Sequence, residues 1–137
     1  LDQNAYQCSK GMSAAEATVN DGGVIIMLAT CQDGHGGESY YHPIADAESA
    51  DAFFQQCLHT PQVETLPDQW CAQIWCRIVR KYKVLFVADK AQEQLIRDLK
   101  VEYFETLDEA YARARELKGP DATLACIPNG ASVVVKD

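Results

Sequence analysis

The groups in this chain whose chemistry must be weighed first are three histidines, six cysteines and one glycine-rich loop. The loop reads Gly34-His35-Gly36-Gly37. An imidazole titrates near neutrality, so His35 is a candidate ligand, substrate contact or acid/base group. The competing reading is a loop histidine that bonds backbone and holds a tight turn. No second His, Asp or Glu stands at ligand spacing from it, which favours that structural reading. His42 and His59 read as surface or loop residues. Backbone N–H groups of a glycine loop can cradle phosphate, but neither GxGxxG nor GxxxxGK[ST] occurs. No GxSxG nucleophile elbow is present, and no close carboxylate pair stands out. The thiols are Cys8, Cys31, Cys57, Cys71, Cys76 and Cys126. Their spacing matches no small disulfide scaffold, and Cys71 and Cys76 lack the CxxC pattern of a zinc site. Most fall within apolar runs, where a free Cys acts as a small hydrophobe. They imply a reducing, cytoplasmic setting.

The elements that must position these groups follow from periodicity. Val24, Ile25, Ile26, Met27 and Leu28 form an unbroken apolar run, the pattern of a strand buried on both faces. The spacing predicts this strand over 24–30, running straight into the glycine loop. Ligand sites in open α/β sheets lie beyond the carboxyl ends of strands, so the loop is a candidate cleft element. Residues 4–19 read as helix in one or two pieces broken near Gly11, with Ser13 and Glu16 at capping-box spacing. Gln7 and Lys10 share a face of that helix. The residue before Pro43 disfavours helix at His42.

Helices are expected over 48–58, over about 69–82 with Asp68 as cap, in a short piece carrying Leu95, Ile96 and Leu99, and over 107–118. Thr106 and Glu109 form a capping box for the last, and Leu107, Ala110, Tyr111, Ala114 and Leu117 mark its buried face. Further strands are expected at 84–88 and 101–104. Asn129-Gly130 between 122–127 and 131–136 is a hairpin signal. Strand–helix alternation predicts an α/β fold: a mostly parallel mixed sheet, helices on both faces in a Rossmann-like three-layer arrangement, and a C-terminal β-hairpin.

Length and charge bound the rest. A chain of 137 residues suits one α/β domain spanning 1–137. A net charge of −8 disfavours nonspecific nucleic-acid binding. The short basic cluster Arg77, Arg80, Lys81 and Lys83 reads as the solvated end of a helix. No stretch reaches the roughly 20 apolar residues of a membrane span, so no membrane partner is expected. The N-terminus shows neither an initiator Met nor a signal-peptide pattern. The expectation is a fragment or processed piece of something longer.

Four segments in order carry a family resemblance. They are NAYQCSKGMSAAEATV (4–19), VIIMLATCQDGHGGESYY (24–41), TPQVETLPDQW (60–70) and ATLACIPNGASVVV (122–135). Together they resemble the C-terminal region of the nickel-dependent lactate racemases, across nearly the whole chain. The resemblance implies a C-terminal domain of a larger two-domain racemase or epimerase of 2-hydroxy acids, closing over a missing N-terminal cofactor-binding domain. It implies reversible hydride transfer to a nickel-pincer pyridinium mononucleotide, with acid/base histidines and all metal ligands outside this chain. No metal ligand and no bound cofactor are expected here, and the fragment alone is expected to be inactive.

From spacing alone, a Lys on such a helix is usually solvated and a Trp on an amphipathic helix is usually core. The resemblance changes that for three residues. Tyr6-Gln7-Cys8-Ser9-Lys10 and Pro67-Asp68-Gln69-Trp70 match family segments that face the active-site cleft. It implies Gln7, Lys10 and Trp70 as substrate contacts, and Lys10 as the catalytic cation. Gly34, His35, Gly36 and Gly37 would form a loop at the cleft. Two other readings stand beside this one: a non-catalytic module binding a small anion, and a nucleotide-binding α/β module.

Overall fold

The structure is a computed structural model that describes residues 2–133 and 135. Helix α1 spans Ala5–Glu16, strand β1 Val24–Leu28, α2 Glu38–Ala45, α3 Ala50–His59 and α4 Gln69–Lys81. Then follow β2 at Lys83–Val87, α5 at Glu93–Asp98, β3 at Glu102–Phe104 and α6 at Leu107–Lys118. The three strands are parallel in the order β1-β2-β3. Ile25 pairs with Val84, Met27 with Phe86, and Phe86 in turn with Tyr103.

Strand β2 is the centre of the sheet, and Val84, Leu85 and Phe86 are all buried. Alternate side chains point to opposite faces. Val84 and Phe86 join the main core with Met12, Tyr40, Ile44, Trp75, Ile78, Ile96 and Leu99. Trp75 packs at 6.2 Å from Phe86, and its Nε1 donates to Leu99 O at 2.9 Å. Leu85 and Ala110 are buried outside that cluster, under α6. Helices therefore cover both faces, as the alternation predicted.

Several expectations are corrected. Strand β1 is an edge strand, and although helices pack against it only Ile25 is fully buried. The apolar run reflected the packing of α1 on one side and α6 on the other, not strand neighbours on both edges. The sheet is wholly parallel among the described residues. Residues 122–127 are irregular, and Asn129-Gly130 is a turn with no flanking strand among the described residues. The other expected arm, 131–136, lies partly outside the described residues. The turn is instead packed on a helix: a Cβ on Gly130 would stand 3.0 Å from Gly11 Cα.

That packing explains why α1 runs unbroken through Gly11. A Cβ at Gly11 would also meet Met27 Cε at 3.1 Å. Close approach on two sides offsets the roughly 1 kcal/mol by which Gly disfavours helix. Ser13 does not cap; its hydroxyl donates back to Ser9 O. Pro43 lies inside α2, against expectation. Tyr40 and Ile44, one turn apart, are completely buried. Burying two large side chains is worth about 2–3 kcal/mol each, enough to offset the helix penalty of Pro of about 3 kcal/mol.

Thr106 and Glu109 do form the expected capping box. On α6, however, only Ala110 is fully buried, while Leu107, Tyr111 and Leu117 remain more than a third exposed. A sheet of three short strands is too narrow to cover the whole stripe. The basic cluster is not simply solvated. Arg77 pairs with Glu16, Arg80 with Asp51, Lys81 with Asp21 and Lys83 with Glu102. No described helix is long and apolar enough to cross a membrane.

Candidate functional site

The glycine loop and the start of α1 are built as one joint. Residues 2–6 and 31–35 exchange four backbone hydrogen bonds. Cys31 N donates to Asp2 O (2.9 Å), Asp33 N to Gln3 O (2.8 Å), Ala5 N to Gly34 O (3.1 Å) and Tyr6 N to His35 O (3.1 Å). Loop carbonyls thus satisfy N–H groups that the first turn of a helix leaves without intrahelical partners. Asn4 caps the same turn, its side chain accepting from Gln7 N at 3.0 Å. Gly36 has φ +82, and a Cβ there would lie 2.5 Å from Asn4 Oδ1 and 3.0 Å from Tyr6 Cβ. Glycine is therefore required at 36 both for backbone conformation and for space.

This joint sets where α1 points its side chains. Gln7 is half-buried, and its Oε1 is buried without a hydrogen-bond partner among the described residues. One turn on, Lys10 is exposed and makes no hydrogen bond or ion pair among them. The start of α4 comes alongside. Cys71 Sγ stands 3.2 Å from the buried Ser9 Oγ. Burial pushes the Cys71 thiol up, while Ser9 and the nearby Lys10 charge oppose that shift. Trp70, 57% exposed, meets the Tyr6 ring edge-on at 6.4 Å. Tyr6 stands edge-on to the buried Tyr40, and Tyr40 to Trp75. A file of aromatic rings therefore runs from the core out to Trp70. Gln7 and Lys10 lie one turn apart on α1, and Trp70, at the start of α4, meets α1 through Tyr6.

His35 is oriented elsewhere. Its Nδ1 accepts from Gly37 N at 3.1 Å, and its ring stacks on Tyr41 at 4.8 Å. Its Nε2 lies 3.7 Å from Glu38, which also pairs with His42 at 2.8 Å. Because Nδ1 accepts, the neutral ring carries its proton on Nε2, toward Glu38. Tyr41 also donates to Asp98 at 2.5 Å, and this contact with burial lifts its phenol to about 12. His35 thus serves the loop–α2 junction. Gly34 N donates to Cys31 O and Gly37 N to His35, so these loop donors are committed inside the protein.

Asp68 corrects another expectation. It stands at the N-cap position of α4 with a left-handed backbone, φ 58, and its side chain makes no capping bond. The carboxylate accepts from Tyr6 OH at 3.4 Å instead. Sequence reasoning missed the Asn4 cap and the Tyr6–Asp68 contact. Asn4 was detectable, since Asn directly before a helical period is a cap signal. The Tyr6–Asp68 contact joins distant segments and had no local signal. Among the described residues, no three His, Cys, Asp or Glu side chains could together hold a metal ion. The donors present here do not fit a resident metal, and no chemical step is assigned to one in this chain.

Comparison with known proteins adds the family. A sequence model described as the lactate racemase C-terminal domain matches residues 1–135. The chain is 48% identical over 136 residues to a lactate racemase of Lactiplantibacillus plantarum, covering 99% of this chain and 32% of that protein. It is 41% identical over 137 residues to a lactate racemase of Thermoanaerobacterium thermosaccharolyticum, again covering 32% of the relative. The solved lactate racemase apoprotein from the latter organism superposes with a TM-score of 0.95 over all of this chain and 33% of that one. The chain therefore spans about a third of the length of the curated relatives it matches.

Proposed function

Since the chain belongs to the lactate racemase C-terminal domain family, we propose that it is the substrate-contacting domain of a 2-hydroxy acid racemase or epimerase. The observation that carries this reading is the pair of uncommitted polar groups on one face of α1. A buried amide oxygen without a partner is costly, about 1–3 kcal/mol, unless something supplies a donor. Gln7 Oε1 offers an acceptor to a substrate hydroxyl. The Lys10 ammonium, free of protein acids among the described residues, offers a cation to the neighbouring carboxylate. The two groups are spaced by one helical turn on one face of α1, so both side chains can be directed at one small substrate.

In this reading the substrate carbon loses hydride, becomes planar, and receives hydride again on either face. A nickel-pincer pyridinium mononucleotide would supply the hydride chemistry, and it and the acid/base histidines would be held by the part of the enzyme beyond this chain. This domain's residues do the holding. Lys10 keeps the carboxylate fixed while the neighbouring carbon flattens, so either face can be presented without release. It aids catalysis where its contact strengthens as charge shifts on the substrate. Gln7 fixes the hydroxyl end. Trp70 forms an apolar wall that excludes water and strengthens both contacts. The Gly34–Gly37 loop positions α1 and thereby both side chains. The six free thiols support a reducing, cytoplasmic setting. On this reading the domain alone does not turn over substrate.

The test uses the intact protein. Lys10→Ala should lower kcat/KM for interconversion of lactate enantiomers about 100-fold or more, as expected for loss of a transition-state contact. Folding and cofactor content should be unchanged. Activity within a few-fold of the parent at full cofactor occupancy would return Lys10 to the solvated surface.

A further inference from the structure

Two thiols lie outside every role described above. Cys8 Sγ and Cys31 Sγ stand 4.0 Å apart in mutual contact, and the two residues are 1% and 0% exposed. We propose that Cys8 and Cys31 form a modification site, a dithiol that hydrogen peroxide converts to a disulfide stapling α1 to the loop that follows β1. This inference is independent of the racemase reading.

Placement singles out this pair. Cys71 faces Ser9 Oγ and Tyr6 O, and Cys126 is exposed. Cys8 lies one residue after Gln7 on α1, and Cys31 three residues before Gly34. The segments that carry them are already joined by the four backbone hydrogen bonds between residues 2–6 and 31–35. The sulfurs must close by about 2 Å to reach bonding distance.

The contact also divides the chemistry. The bond to Cys8 lowers the Cys31 thiol below its usual range, while the same bond and burial raise Cys8. Cys31 lies in the loop between exposed neighbours and Cys8 within α1, so Cys31 is the nucleophile and Cys8 the resolving thiol. Cys31 has a left-handed backbone, φ 48, unusual for a residue with a side chain, and it lies between exposed Thr30 and Gln32. Such a position is where the joint opens at least cost and admits a small oxidant.

The steps balance. The Cys31 thiolate attacks one peroxide oxygen, the O–O bond breaks, and the departing hydroxide takes up the thiol proton as water. Cys31 is left as a sulfenic acid, oxidised by two electrons, with peroxide reduced. Cys8 then attacks the Cys31 sulfur, the S–O bond breaks, and the hydroxyl leaves with the Cys8 proton as a second water. The product closes the segment between residues 8 and 31 covalently. Such a loop closure restricts the unfolded chain and raises thermal stability.

The experiment treats the intact protein with hydrogen peroxide, blocks remaining thiols and maps peptides. Cleavage after Lys10, Glu16 and Glu38 puts Cys8 and Cys31 on separate peptides, and residues 1–10 and 17–38 hold no other cysteine. The expected product is the two peptides joined and lighter by two hydrogens, formed before Cys71 or Cys76 is modified. It should carry a rise in Tm of several degrees that a reducing thiol reverses. Cys8→Ser should leave Cys31 as a sulfenic acid trapped by dimedone. Cys31→Ser should slow modification of Cys8 about tenfold or more, since Cys8 then lacks the sulfur it pairs with. The proposal is overturned if a dose that oxidises the exposed Cys126 leaves Cys8 and Cys31 as thiols. It is equally overturned if Cys31 pairs with any other cysteine as readily. The mapping on the unsubstituted protein decides the matter even where a variant does not fold.

Discussion

Replacing the loop glycines one at a time by Ala separates the three physical demands on them. Gly36 has φ +82, and the new Cβ would meet Asn4 Oδ1 at 2.5 Å. Left-handed backbone costs an L-residue roughly 1–2 kcal/mol. Displacing Asn4 removes the N-cap of α1, about 1 kcal/mol more. The Ala gains back roughly 0.4–1 kcal/mol by restricting the unfolded chain. Gly36→Ala should therefore destabilise by about 2 kcal/mol. Gly34 has φ +68 but open space around it. It bears the backbone strain alone, so Gly34→Ala should cost about 1 kcal/mol or less. Gly37 is extended, φ 170, and also open, so Gly37→Ala should be near neutral. Urea midpoints at unchanged slope give the three values. An Asn4→Ala background tests the contact directly. The Gly36→Ala cost should shrink there by about the cap energy, because the side chain it strikes is gone. Equal losses at 34, 36 and 37, or additivity of Asn4→Ala with Gly36→Ala, would refute the reasoning that the loop is built around the start of α1.

Three further outcomes follow from other parts of the molecule. Trp75→Phe should destabilise by about 2–4 kcal/mol, losing buried volume and the bond to Leu99 O; Trp70→Phe should cost less than about 1 kcal/mol because that ring is largely exposed, and acrylamide should quench Trp70 but not Trp75. Glu102 is held below the usual carboxylate range by Lys83, with Arg113 adding to it. Its folded state binds a proton less readily than the unfolded chain, so its stabilisation is complete above the ordinary range and disappears as pH falls through the depressed value; Glu102→Gln should flatten the acid limb of a stability–pH curve, and an unchanged limb would exclude this strap between β2, β3 and α6. Tyr41→Phe should remove a phenol that stays protonated to about pH 12, visible as the loss of one late-titrating group in an ultraviolet titration.

The fold was legible where local chemistry and tertiary packing agree. The apolar run at 84–88 and the capping box at Thr106 needed no partner to be read, and both elements are there. The failures occur where a distant partner decides. Gly11 resembled a helix break, yet Met27 and the Gly130 turn press against it and turn a weak helix residue into a contact. The helix penalty of Pro43 is real, yet burial of Tyr40 and Ile44 exceeds it. The Asn129-Gly130 signal does produce a turn, but no ladder forms among the described residues, since a hairpin needs a sheet edge or core face to hold its arms.

The candidate site divides along the same line. Spacing alone placed Gln7 and Lys10 on one face, but a solvated pair and a ligand pair have identical spacing. What separates them is commitment: whether each polar group already has a protein partner. That depends on residues far away in sequence, and no local pattern reports it. His35 shows the converse. Its setting among glycines was the most conspicuous chemical feature of the chain, yet its ring is engaged by Gly37, Tyr41 and Glu38. The less conspicuous Gln7 and Lys10 are left without a hydrogen-bond partner among the described residues, as is Tyr103 OH. The resemblance to lactate racemases implied them as substrate contacts, a role that their spacing does not encode. The structure supplies the physical reason for their freedom: loop carbonyls and Asn4 satisfy the helix start, so Gln7 and Lys10 are not needed to hold it.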